Sequence, residues 1–173
     1  MVVRAQRPVQ AAPPTATTRM RARILVIEAR FYEKISDELV GGAIAELEAR
    51  GASYDRVAVP GALEIPLVLA QAVSSGIIPM TATAARYNGA IALGCVIRGE
   101  TSHYDIVCNN ANHWLYEIAT RHNVPIGNGI LTVDTEKQAL ARARGGREGK
   151  GGDAARACLR LVEIARAFAG QGA

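Results

Sequence analysis

His103 lies in the run Ala90-Ile-Ala-Leu-Gly-Cys-Val-Ile-Arg-Gly-Glu-Thr-Ser-His-Tyr-Asp105, where an apolar segment passes into a short polar turn and then a helix-forming stretch. An imidazole moves protons near neutral pH. Arg98, Glu100, Thr101 and Asp105 crowd the same turn. In a parallel α/β sheet the carboxyl end of a strand is where ligands sit, and the first N–H groups of the following helix favour an anion, above all a phosphate. Two readings of His103 stay open on these grounds: a surface histidine at a helix start, or a proton-transfer group beside an anion site.

Other residues are candidates on the same logic. Arg142, Arg144, Arg147 and Lys150 form a basic run interleaved with glycine. It is either a solvated helix end, where cations suit the dipole, or a bent loop presenting Arg142 and Lys150 to an anion that a guanidinium grips with two bonds. Phe31 follows an apolar strand in a chain that is only 5% aromatic; it is either core or a platform on which a planar ring stacks. Gly61-Ala-Leu-Glu64 is a tight turn closing another strand and carries Glu64 to the same rim. Gly127-Asn-Gly129, inside a strand, marks close backbone approach. His103, His113 and His122 are about 15 Å and 14 Å apart along one helix, no Cys-x-x-Cys occurs, and no metal site is expected.

These groups need elements to hold them. Arg23–Glu28 reads as a buried strand, and Ile35, Leu39, Ala43 and Leu47 as one stripe of a helix ended by Gly51. Tyr54–Val59 is a second strand, closed by Pro60-Gly61. The helix after it admits Pro66 in its first turn and runs to about Ser74. Residues 76–88 read as a surface loop. Strand Ala90–Val96 precedes a long helix, Tyr104–Arg121, opened by Ser102 with Asp105 as a capping box. Pro125–Val133 is the fourth strand, and Thr135 with Gln138 caps the next helix. Gly145–Gly152 reads as a hinge. Asp153–Phe168 is the last helix, with Ala157, Leu161, Ile164 and Phe168 expected on its inner face. Strands alternating with helices imply a parallel sheet covered on both faces, in one domain spanning residues 23–173.

The bulk properties narrow the class. The net charge of +4 misleads, because five arginines precede the first acid, Glu28, and the remainder carries about one negative charge. A near-neutral body is not a nucleic-acid binder. No apolar run reaches the length of a membrane span. Residues 1–22, with three prolines and no hydrophobic region, read as a disordered arm rather than a secretory signal. Three cysteines, Cys95, Cys108 and Cys158, give no disulfide framework and suit a reducing cytoplasm.

Five segments occur together in a familiar order: Glu28-Ala-Arg-Phe-Tyr32, Val59-Pro-Gly-Ala-Leu-Glu-Ile-Pro66, Gly94-Cys-Val-Ile-Arg-Gly-Glu-Thr-Ser-His-Tyr-Asp105, Gly129-Ile-Leu-Thr-Val133 and Lys150-Gly-Gly-Asp-Ala-Ala155. Over about residues 23–170 the chain resembles the lumazine synthases. The resemblance implies a flavodoxin-like three-layer α/β/α fold with a four-stranded parallel sheet. It also implies the penultimate step of riboflavin synthesis: 5-amino-6-ribitylamino-uracil condenses with 3,4-dihydroxy-2-butanone 4-phosphate to give 6,7-dimethyl-8-ribityllumazine, phosphate and water. No cofactor and no metal are implied. A homo-oligomer is, with sites shared between subunits and a pentamer favoured.

Carried over by position, Phe31 matches the ring that stacks on the pyrimidine, and Ala62, Leu63 and Glu64 the turn that meets the ribityl chain. Cys95, Val96 and Ile97 match a strand end whose backbone reads the pyrimidinedione edge. Glu100 and Thr101 match the phosphate-binding turn, and His103 the proton-transfer residue. From the adjacent subunit, Arg142 matches the phosphate-gripping arginine, and Lys150 and Asp153 polar groups of that half-site. Asn128 stands at a substrate-contacting position where many members have Phe, and Leu63 where some have Trp or Phe.

Overall fold

The computed structural model describes residues 20–78 and 85–170. Four strands, β1 (Arg23–Ala29), β2 (Ser53–Val59), β3 (Gly89–Ile97) and β4 (Ile126–Val133), form one sheet in the order β2-β1-β3-β4, every neighbouring pair parallel. Five helices alternate with them: α1 (Glu33–Ala49), α2 (Glu64–Ser74), α3 (His103–Arg121), α4 (Glu136–Ala143) and α5 (Lys150–Phe168). A three-residue 3-10 turn, Gly146–Glu148, joins α4 to α5. The expected three-layer parallel architecture is what the chain forms.

Strand β1 explains the layering. Its side chains alternate, so Ile24 and Val26 enter the core under α1, α4 and α5, while Leu25, Ile27 and Ala29 enter the core under α2 and α3. A strand buried on both faces reads as a continuous apolar run, as Ile24-Leu-Val-Ile27 does. Gly51, with φ 72°, ends α1. Thr135 caps α4, its hydroxyl accepting the Gln138 N–H at 3.2 Å. Pro66 sits in the first turn of α2, where a missing N–H leaves no bond unmade.

Several expectations are corrected. Ser102 precedes α3 with helical backbone angles and makes no side-chain cap bond; the Thr101 hydroxyl faces the His103 N–H instead, at 3.4 Å. A capping side chain needs extended geometry at its own residue, which Ser102 lacks. The hinge is shorter than Gly145–Gly152, because α5 already begins at Lys150.

The inner face of α5 is also not the expected one. Ala157, Leu161 and Phe168 are exposed, Phe168 at 88%, and Ile164 is half-buried; Ala154, Ala155, Cys158, Leu159 and Val162 face the core. The cause lies in β4. A Cβ on Gly127 would stand 2.0 Å from the Ala154 carbonyl oxygen, so helix and strand touch backbone to backbone. Small residues must occupy that contact, so the stripe through Ala154, Ala155 and Cys158, continued by Leu159 and Val162, faces the sheet, and Leu161 and Phe168 fall on the outer side.

The expected arm, residues 1–22, lies outside the described residues up to 19. Met20 and Ala22 are buried, and the Met20 N–H donates to the Arg50 carbonyl at 3.0 Å. Of the expected 76–88 loop, residues 79–84 lie outside the described residues, while Ile78 and Tyr87 are buried.

Candidate active site

A cavity of about 390 Å³ opens at the carboxyl ends of β1, β2 and β3. Chain connections leave β1 and β3 in opposite directions along the sheet, and a parallel sheet has its natural ligand crevice at such a switch point. The turn after β1 supplies Phe31 and Tyr32. The turn after β2 supplies Pro60, Gly61, Ala62, Leu63 and Glu64. The end of β3 and the start of α3 supply Cys95, Val96, Ile97, Gly99, Thr101, His103, Tyr104 and Val107. Nine expected residues therefore line one cavity: Phe31, Ala62, Leu63, Glu64, Cys95, Val96, Ile97, Thr101 and His103.

Each wall has a physical cause. Phe31 is 72% exposed and meets Tyr32 edge-on, with ring centroids 4.9 Å apart. A phenyl ring left this open on a cavity wall offers its face to a planar ligand. Strand β1 pairs with β3 as far as Leu93, whereas β4 follows β3 to Ile97. Past Leu93, the backbone N–H and C=O groups of β3 that would face β1 therefore have no strand beside them. They form an edge able to hydrogen-bond a heterocycle. Burial pushes the Cys95 thiol up to about 11, so it stays protonated at neutral pH and offers no thiolate nucleophile.

The Glu64 carboxylate accepts the Gly61 N–H at 2.9 Å. This fixes the turn at the opening of α2 and leaves the second oxygen of Glu64 for a ligand. His103 is exposed at the first residue of α3, beside the Gly99–Ser102 turn. Near this rim the Arg98 guanidinium reaches Asp134 at 3.2 Å and Asp105 at 3.6 Å, and stacks on Tyr104 with its central carbon 4.1 Å from the ring centre.

Five expected residues do not line this cavity. Glu100 is exposed beside it. Asn128, on β4, is held within its own protomer: its amide NH2 donates to Asn112 on α3 at 2.7 Å and its oxygen accepts the Ile130 N–H. Arg142 is exposed on the last turn of α4, donating to the Gln138 carbonyl one turn back. Lys150 and Asp153 pair at 2.9 Å in the first turn of α5. Burial alone would raise the Asp153 carboxyl, but hydrogen bonds from Lys150 and Arg156 outweigh it and hold the group below its usual range.

Tyr32, Pro60, Gly61, Tyr104 and Val107 line the cavity without having been expected there. All but Val107 fall inside the motif segments, so their signal was position in those segments rather than residue type. Val107 comes in only as the next turn of α3 beyond His103.

Fold and cavity together define a parallel α/β protein with a cavity of small-molecule size at the switch point of its sheet. Comparison with known proteins makes this more particular. The sequence pattern of the family described as 6,7-dimethyl-8-ribityllumazine synthase matches residues 21–166. Similar proteins include 6,7-dimethyl-8-ribityllumazine synthase 1 of Rhodopseudomonas palustris, 50% identical over 86% of this chain and 88% of that one. The 6,7-dimethyl-8-ribityllumazine synthase of Methylobacterium radiotolerans is 49% identical over 90% of each chain. The chain belongs to the 6,7-dimethyl-8-ribityllumazine synthase family and is an enzyme of the transferase class.

Proposed function

We propose that the protein condenses 5-amino-6-ribitylamino-uracil with 3,4-dihydroxy-2-butanone 4-phosphate, releasing 6,7-dimethyl-8-ribityllumazine, phosphate and water. The observation that carries this reading is the meeting, in one cavity, of an open phenyl ring, an unpaired strand edge and the Gly99–His103 turn. Phe31 stacks on the pyrimidine, and the Cys95–Ile97 backbone pairs with its dione edge. The Ala62–Glu64 turn meets the ribityl hydroxyls. The amides and hydroxyl of the turn around Glu100 and Thr101 take the phosphate at the amino end of α3, where the dipole favours an anion.

Both substrates carry their own reactive groups, an amine and a ketone. The site therefore works mainly by holding them together, which lowers a barrier by about 7–11 kcal/mol when orientation is right. Imine formation, phosphate loss and ring closure each move protons, and His103 accepts and returns them. Arg142 of a neighbouring subunit grips the phosphate as it leaves, with Lys150 and Asp153 completing that half-site.

Sharing of the site requires a homo-oligomer, and a pentamer is the form this reading adopts. Ile106, Trp114 and Tyr116 on α3 and Leu67 on α2 are large apolar side chains left exposed on a single chain, surface that association between subunits would cover. Three free cysteines fit a reducing cytoplasm, and among the described residues no helix is long and apolar enough to cross a membrane.

The test is incubation of the purified protein with both substrates, followed by lumazine absorbance and fluorescence. Product forming faster than in the protein-free mixture supports the reading. A rate equal to the uncatalysed one removes the condensation.

A further inference from the structure

Glu46, at the start of the last turn of α1, has a side chain only 2% exposed. One oxygen meets Arg147 Nε at 2.8 Å and Arg156 Nη1 at 3.2 Å. A lone carboxylate at that depth would be strongly destabilising, and it persists because two guanidiniums face it. Arg147 belongs to the 3-10 turn and Arg156 to the second turn of α5. Arg156 also donates to the Arg147 carbonyl at 2.8 Å and to Asp153 Oδ1 at 2.7 Å, and Asp153 Oδ2 accepts from Lys150 Nζ at 2.9 Å. An unbroken chain of charge-assisted bonds thus runs from inside α1 to Lys150 at the surface.

The backbone around this chain is pressed together without side chains as spacers. A Cβ on Gly42 would stand 2.5 Å from the Gly146 oxygen, one on Gly151 1.9 Å from the Leu39 oxygen, and one on Gly152 2.0 Å from the Arg147 oxygen. The 3-10 turn and the start of α5 lie directly on α1, and Glu46 is the buried side chain that pins them. This segment leaves α4 one residue after Arg142 and ends at Lys150 and Asp153.

We propose that Glu46 is a positioning residue. Acting through Arg147 and Arg156, it sets the segment 142–153 at the angle from which Arg142 and Lys150 meet the phosphate of a substrate bound in the adjoining subunit. This rests on the shared-site reading given above.

Two variants test it. Glu46→Gln keeps the volume and one acceptor oxygen, removes the charge and turns an NH2 group toward a guanidinium. Arg147→Ala removes a half-exposed side chain while leaving Glu46 paired with Arg156, so the fold is retained. For each, KM of both substrates, kcat and native mass are measured, with Arg142→Ala alongside. Glu46→Gln raises KM for the phosphorylated ketone about tenfold and Arg147→Ala about threefold; KM for the uracil stays within about twofold and the assembly mass is unchanged.

Equal shifts in both KM values, no shift in either, or loss of the assembly in both variants would make Glu46 purely structural and overturn the proposal. If Arg142→Ala itself leaves the ketone KM unchanged, the shared-site reading has failed first, and Glu46 has no half-site to position.

Discussion

Arg23 and Asp55 are joined across the amino end of the sheet by two parallel hydrogen bonds, Nε to Oδ2 at 2.9 Å and Nη2 to Oδ1 at 3.0 Å. The Tyr87 hydroxyl donates to the same carboxylate at 2.8 Å, so one aspartate ties β1, β2 and the chain entering β3. This cluster lies at the end of the sheet opposite the cavity, and none of its residues lines it.

The Arg23 and Tyr87 hydrogen bonds hold the Asp55 carboxyl at about 2, below the value near 3.9 of an unfolded chain. A group whose folded pKa is depressed contributes stability above its unfolded pKa and loses it as pH falls toward the folded one. Between about pH 4 and pH 2 the native protein should therefore lose the contribution of Asp55. Asp55→Asn should be less stable at pH 6 and lose less stability on acidification across that window. Urea midpoints at several pH values check this; parallel curves for the two proteins would show that Asp55 is not responsible.

Adjacent glycines in α1 should respond with opposite signs. A Cβ on Gly41 meets nothing within 4 Å, whereas on Gly42 it meets the Gly146 carbonyl oxygen at 2.5 Å. Gly41→Ala removes backbone freedom from the unfolded chain at a helical site and should stabilise by about 0.5–1 kcal/mol. Gly42→Ala must push the 3-10 turn off α1 and should destabilise by about 1–3 kcal/mol. Urea denaturation of the pair reads both, and like signs would contradict the close packing of turn on helix.

This pair also marks what a sequence reveals and what it hides. Element order was legible because each strand is a short apolar run and each helix has a stripe or a stop, as Gly51 is for α1. The rim of the cavity was legible because Phe31, Glu64 and His103 each sit just past a strand. What stayed hidden was set by backbone proximity. The rotation of α5 follows from Gly127 lying against Ala154, and a count of large apolar residues does not anticipate a face whose first turns are chosen for smallness and only later carry Leu159 and Val162. Glu46 looks like any helix-surface acid until Arg147, 101 residues away in sequence, is seen beside it.

His103→Ala should lower kcat by about a hundredfold or more, the usual worth of a positioned proton-transfer group, with KM for either substrate little changed. Steady-state kinetics with both substrates check it. Unchanged turnover would take the imidazole out of the mechanism and leave orientation by the cavity walls as the main source of rate.

The proposed sharing of sites between subunits has its own test, because His103 lines the cavity and Arg142 does not. Arg142→Ala should raise KM for the phosphorylated ketone by about tenfold to a hundredfold, as expected for losing a charge-assisted contact, and leave KM for the uracil nearly unaltered. At ketone concentrations well below the raised KM, each of the two variants is then poorly active alone. If the two residues of one working site come from different chains, unfolding the variants together and refolding them as mixed oligomers regenerates sites in which an intact His103 meets an intact Arg142. Activity in the mixture should rise well above the sum of the separate variants, and the gain should depend on subunit exchange, being absent when the preassembled proteins are merely combined. If both residues serve the same chain's site, every mixed site still lacks one of them, and no recovery is possible at any mixing ratio.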